Sequence, residues 1–241
     1  MRAAISTMKH SPISGCRRTN FLVFEGAITS HSTLSQTLIQ PFRFMEHFFT
    51  LCDSLVHSIL KALATALSLQ EERLSSTHAK SLFQLRLLHY PPVPAAFLTS
   101  NQKSRISAHS DFGTLTLLFQ DSVGGLEIES PPSSDIFVPV KPIPGTVLVN
   151  IADLMERWSN GRWRSTVHRV VAPPTHLERT ASHAGEEEMC RARYSIPFFA
   201  TADPETVIEA LPGCWNADNP KKFESVTAWD YLQMRMAALY S

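Results

Sequence analysis

The hydrophobic positions change period once along this chain, and the change divides it. From residue 42 to about 70, Phe44, Phe48, Leu51, Leu55, Ile59, Leu63 and Leu67 recur at spacings of three and four, with no Gly or Pro between them. That is the period of an amphipathic helix, and the spacing predicts one that lays this stripe of side chains against a sheet. Residues 1–40 carry many Ser and Thr and no sustained period, and read as a weakly structured lead-in.

After His78 the pattern becomes one of short apolar runs separated by turn residues. The run at 85–90 stops at Pro91-Pro92, that at 115–119 near Gly124-Gly125, and the alternating 126–129 at Pro131-Pro132; further runs lie at 136–140, 146–151, 166–171 and 194–199. Runs of this length, rich in β-branched and aromatic residues, predict the strands of a sandwich or barrel. In a jelly roll, inward-pointing side chains from two sheets meet in one cavity. The stretch 173–189, with His176, His183 and Glu186-Glu187-Glu188, reads as a solvated loop, and a helix is predicted over 226–240.

Composition narrows the function class. With 241 residues, 44% of them hydrophobic, the chain can bury a substantial single core. A formal net charge of zero and a pI near 7.2 argue against a nucleic-acid partner and point to a small-molecule substrate. No uninterrupted apolar run reaches the roughly 18 residues of a membrane span, so no membrane partner is expected. Cys16, Cys52, Cys190 and Cys214 are scattered without a CxxC, as in a reduced, cytoplasmic protein. Arg2, Lys9, Arg17 and Arg18 precede the first acid, Glu25, a weak echo of an organellar transit peptide.

Candidate chemistry lies in two motifs. His109-Ser110-Asp111 puts an imidazole and a carboxylate two residues apart, which on a strand share one face. His168 sits in a second β-branched run, Ser165-Thr166-Val167-His168-Arg169-Val170-Val171. Two neutral imidazoles and one carboxylate suit Fe(II) and leave coordination positions open. Arg193 and Ser195, in Arg193-Tyr194-Ser195, also share a face, and a guanidinium beside a hydroxyl offers bidentate recognition of a carboxylate. Arg191 stands near Arg193 but lacks a serine at that spacing.

With these motifs in place, the sequence from about Phe44 onward resembles the iron(II)- and 2-oxoglutarate-dependent oxygenases of the isopenicillin N synthase-like branch. The resemblance rests on Leu85-Arg86-Leu87-Leu88-His89-Tyr90-Pro91-Pro92, on 108–118 around His109 and Asp111, on Gly124-Gly125-Leu126-Glu127, on 144–150, on Trp158-Ser159-Asn160-Gly161, on 165–170 and on Arg193-Tyr194-Ser195-Ile196-Pro197-Phe198-Phe199. It implies an α+β, mainly β fold: a double-stranded β-helix (jelly roll) core braced by N-terminal and C-terminal helices. Residues 1–80 would be a lead-in and bracing helix, short relative to the family, and 81–241 the oxygenase domain with its C-terminal helix.

The resemblance also implies roles. His109, Asp111 and His168 would be the iron ligands; Arg193 and Ser195 would hold the distal carboxylate of 2-oxoglutarate, with Tyr90 touching the same co-substrate; Phe199 would border the substrate. Leu88 stands where many members have asparagine. The implied reaction uses Fe(II), 2-oxoglutarate and O2 to oxidise a small organic molecule in specialised metabolism, releasing succinate and CO2. Retention of Asp111 favours hydroxylation, desaturation or ring chemistry over halogenation. His89 should face away from the cavity, Asn150 and Asp153 should play supporting roles, and the long 173–191 loop reads either as a lid or as loop variation without function. Two rival readings are a catalytically impaired homologue acting as a metal- or ligand-binding regulatory protein, and a cupin-like hydrolase or isomerase. The second leaves the Arg-x-Ser pair unexplained.

Overall fold

Alternation along the strands dictates two sheets with a shared interior. The computed structural model describes residues 20–25, 36–95, 104–173 and 189–239. Five antiparallel strands form the larger sheet, in the order β1 (Asn20–Glu25), β2 (Gln84–Tyr90), β11 (Arg193–Ala200), β5 (Leu115–Gln120) and β8 (Leu148–Ile151). The smaller sheet orders β4 (Ile106–His109), β9 (His168–Val170), β6 (Leu126–Glu129) and β7 (Phe137–Pro139). Two short pairs, β3 (Val93–Pro94) with β10 (Met189–Cys190) and β12 (Val207–Ile208) with β13 (Val226–Thr227), complete the strands among the described residues. This is the expected jelly roll with bracing helices.

One face of the larger sheet is the hydrophobic core. Leu85, Leu115, Leu117, Phe198 and Ala200 pack on Cys52, Val56, Leu60, Ala64 and Leu67 of helix α1 (Gln36–Ala66). Phe49 meets Phe198 and Phe48 meets Phe119 edge-on, each pair with centroids 5.0 Å apart. The helix is as predicted, but its buried face is not. Phe44 and Leu51 are 65% and 54% exposed, and Leu55 is also exposed, while Phe48, Ile59 and Leu63 flank the contact. The true seam lies one residue along, a rotation of about 100°, because small Cys52 and Ala64 let the helix approach the sheet closely. Segment Phe42–Ala66 is also long and apolar enough, by length and composition, to cross a membrane, which the search for an uninterrupted run missed.

The lead-in expectation needs correction as well. Asn20–Glu25 is a strand, paired antiparallel with β2 from Asn20↔His89 to Glu25↔Gln84. Its apolar run is short and lies among Ser- and Thr-rich sequence, so no period revealed it. The predicted C-terminal helix begins two residues later than expected, since Val226 and Thr227 pair with β12 first; after the short α3 (Asp153–Trp158), α4 spans Ala228–Leu239. The loop histidines His176 and His183, the Glu186-Glu187-Glu188 run and the lid expectation lie outside the described residues.

Between α2 (Glu72–Ser75) and the sheet, His78 is fully buried. Its Nδ1 lies 3.0 Å from the Leu74 carbonyl, which can only accept, so Nδ1 carries the proton and Nε2 accepts from Thr114 Oγ1 at 2.9 Å. Burial pushes its pKa from the ordinary 6.5 down to about 4. Unfolding then takes up a proton that the folded state refuses. The associated stability is complete above pH 6.5 and is lost as pH falls toward about 4. Between pH 7 and 5 wild type should lose about 2 kcal/mol through this group, and His78→Gln should lose less; urea midpoints at the two pH values measure the difference.

Candidate active site

The interior face of the larger sheet carries the polar residues. Strand register sets them in rows: Gln84, Phe199, Thr116 and Asn150 in one, Leu88, Ser195 and Gln120 in another, and Tyr90 beside Arg193 at the end. Opposite, β4 and β9 pair His109 with His168.

Two centres lie on this interior. Ligand atoms of His109, Asp111 and His168 lie within 4.8 Å of one another and could hold one metal ion. The two rings are 4.4 Å apart, and His168 Nε2 is 3.8 Å from Asp111 Oδ1. Both imidazoles are oriented from behind: His109 Nδ1 donates to Ser107 O at 2.8 Å and His168 Nδ1 to Thr166 O at 2.9 Å. Each Nε2 is thereby left as a lone pair, the ligating form. Among the described residues Asp111 is held by hydrogen bonds on one oxygen, Oδ2, which accepts from Thr116 Oγ1 at 2.7 Å and Asn150 Nδ2 at 2.8 Å. Two bare nitrogens and a carboxylate oxygen therefore converge, as a divalent metal requires. Burial, and then the neighbouring His168, holds the His109 pKa below its usual value, which keeps the imidazole unprotonated.

At the other end Arg193 is 1% exposed, one of the largest fully buried side chains. It donates to Ser195 Oγ at 3.1 Å and Gln120 Oε1 at 3.0 Å, and its Cζ lies 5.1 Å from the centroid of the Tyr90 ring. Its Nε has no hydrogen-bond partner, and no carboxylate pairs with it among the described residues. A buried guanidinium held only by neutral groups is costly, and an incoming dianion offsets that cost. Burial pushes the Tyr90 phenol above its usual pKa against the pull of Arg193, so it remains a hydrogen-bond donor.

His109, Asp111, His168, Tyr90, Arg193, Ser195 and Phe199 all lie on this interior, but one geometric expectation fails. His109 and Asp111 do not share a strand: β4 ends at His109, and Asp111 lies in the turn before β5. The turn is pinned by backbone bonds from Asp153 N to Asp111 O and Leu154 N to Gly113 O, both 2.9 Å. Gly113 is required there, since a Cβ would sit 2.3 Å from Ala200 O. His89 faces outward, stacked 4.6 Å from Tyr194. Thr116 and Gln120 were missed, although Thr116-x-Leu118-x-Gln120 alternates against the apolar Leu115, Leu117 and Phe119. The signal was polar residues on a strand's interior face, the reverse of the usual pattern.

Helix α4 reaches the same turn. Arg235 pairs with Asp153, donates to Ser110 Oγ at 3.2 Å and lies over the Phe112 ring at 4.5 Å; Tyr231 donates to Asp153 Oδ2 at 2.8 Å. Ser110 stands between His109 and Asp111. Arg235→Ala should cost about 2 kcal/mol, less than the roughly 3–5 of a fully buried pair, because Arg235 remains 30% exposed. Urea unfolding measures the stability change; Fe(II) affinity should fall with it, and an unchanged affinity would show that the turn needs no support from α4.

Residues 82–202 match the family model described as the 2OG-Fe(II) oxygenase superfamily. The chain is 40% identical over 199 residues to the 2-oxoglutarate-dependent dioxygenase htyE of Aspergillus rugulosus, covering 82% of this chain and 58% of that protein. It is 38% identical over 199 residues to the proline hydroxylase buaE of Petromyces alliaceus, covering 82% and 59%. Among solved structures, full-length Neurospora crassa T7H in complex with α-ketoglutarate and thymine superposes with a TM-score of 0.80 at 31% identity, covering 98% of this chain and 73% of that one. The chain belongs to the 2OG-Fe(II) oxygenase superfamily, whose chemistry uses Fe(II), 2-oxoglutarate and O2. It spans rather less than two thirds of the length of the curated relatives it matches.

Proposed function

We propose that this chain carries the catalytic domain of an Fe(II)- and 2-oxoglutarate-dependent oxygenase that oxidises a small organic molecule in specialised metabolism. The observation that carries the reading is the convergence of three bare donor atoms at one end of a polar interior face whose other end holds a buried guanidinium without a carboxylate partner among the described residues. In this reading His109, Asp111 and His168 hold the iron, and Thr116 and Asn150 fix which carboxylate oxygen Asp111 presents. Arg193, Ser195 and Tyr90 hold the distal carboxylate of 2-oxoglutarate, and Phe199, beside Thr116, borders the substrate. The bound metal and co-substrate supply the oxidising chemistry, with succinate and CO2 released; the protein orients the reactants and excludes water. Kinship with a protein named proline hydroxylase supports a small substrate of amino-acid size.

Succinate formation in air tests this. The purified chain should convert 2-oxoglutarate to succinate when Fe(II) is present, slowly alone and faster with a productive small molecule. Folded, iron-loaded protein that forms no succinate under either condition would support the regulatory, binding-only reading instead.

A further inference from the structure

The segment Trp158-Ser159-Asn160-Gly161 has no part in the chemistry proposed above. It ends α3 and turns there, with Asn160 buried and left-handed at φ 54°, a conformation asparagine tolerates. The Asn160 amide is committed to one task. Its Nδ2 donates to Cys214 O at 3.2 Å and Pro220 O at 3.0 Å, while its Oδ1 accepts from Lys222 N at 2.8 Å. Leu211 N donates to Trp158 O at 2.9 Å. The connection from β12 to β13 is thereby pinned to the end of α3 at four positions, which makes it a fixed wall.

Between this wall and α2 lies a cleft of about 600 Å3, a volume suited to a small molecule. Buried Leu74, Trp158 and Leu211 line it, and so does Trp215, which is 45% exposed. Its charged residues are Arg73, Lys221 and Glu209. Lys221 pairs with Glu209 at 2.9 Å and lies 4.9 Å from the centroid of the Trp215 ring. Arg73 pairs with no carboxylate among the described residues; Lys221 above all, and Arg73 more weakly, hold the Glu209 carboxyl below its usual pKa. Two cations therefore face one carboxylate. None of the lining residues belongs to the metal or co-substrate centres.

We propose that this cleft is a second ligand site, separate from the metal centre, and that it takes a small aromatic carboxylate. The ring lies against Trp215 and the apolar lining, and the carboxylate meets Arg73 and neutralises the remaining positive charge. A cation meets like charge there, and a polyanion meets Glu209. A saturated acid finds the charge without the aromatic contact. The inference does not depend on the oxygenase reading.

The test titrates phenylacetate into the whole isotopically labelled chain and follows the indole N–H signals of Trp158, Trp163, Trp215 and Trp229 by nuclear magnetic resonance. It is run with and without Zn(II) and 2-oxoglutarate, which occupy the other site. Trp158 and Trp215 should shift together with a dissociation constant of about 1 mM, the range of so small a ligand, and Trp163 and Trp229 should not. The shifts should be the same with Zn(II) and 2-oxoglutarate present. Phenylacetamide should bind about fivefold more weakly, as for one exposed ion pair, and cyclohexylacetate about 3- to 10-fold more weakly. Arg73→Gln should erase the preference for acid over amide, and Trp215→Ala the preference for the aromatic ring. Four results overturn the proposal: Trp158 and Trp215 do not shift, the amide binds as well as the acid, the saturated acid binds as well as the aromatic one, or the shifts vanish when Zn(II) and 2-oxoglutarate are present. The wild-type comparisons stand even if a variant fails to fold, and succinate formation reads the oxygenase proposal separately.

Discussion

Asp111→Asn should lose Fe(II) affinity by more than about 100-fold while keeping its fold. The reason is that the two oxygens of Asp111 have different duties. Oδ2 accepts from Thr116 and Asn150, and an asparagine oxygen can accept both bonds, so the turn remains pinned. The group directed at His168 becomes an amide N–H, which is no ligand. Loss of a supporting hydrogen bond typically costs 10- to 100-fold in metal affinity, so loss of the ligand itself should exceed that range. Anaerobic calorimetric titration with Fe(II), beside a thermal melt, separates the effects. Unchanged affinity would remove Asp111 from the metal site.

Arg193→Ala should weaken 2-oxoglutarate binding by about 100-fold and leave Fe(II) binding intact. Hydrogen bonds to charged groups contribute about 1.5–3 kcal/mol each, and Arg193 is fully buried with only neutral partners, Ser195 and Gln120, in the described structure. Arg193→Lys keeps the charge and loses the fork, and should fall between. Titration of 2-oxoglutarate into the iron-loaded variants reads the loss directly. An equal loss of iron and co-substrate would contradict the separation of the two centres.

How far the sequence can be read depends on whether the cause of a feature is local. The strands of the jelly roll were legible because alternation and bounding prolines and glycines are local signals. The candidate residues were legible because His-x-Asp and Arg-x-Ser lie within single short segments. Helix α1 was legible as a helix, but its buried face was decided by tertiary fit: Cys52 and Ala64 approach the sheet, while Phe44 and Leu51 turn outward. Thr116 and Gln120 gain their meaning only from register across β11 and β5. Arg235 acts on Ser110 across 125 positions of sequence, a distance no period spans. The strand geometry expected for Asp111 failed for the same reason, since backbone bonds to Asp153 and Leu154 make that segment a turn.

The proposed function requires that one metal and one 2-oxoglutarate meet on this interior face. Anaerobic addition of 2-oxoglutarate to the Fe(II)-loaded chain tests it most directly. A weak visible charge-transfer band is expected that needs both components, saturates at one iron per chain and disappears in His168→Ala. No band from folded, iron-loaded protein, or an undiminished band in His168→Ala, would contradict it.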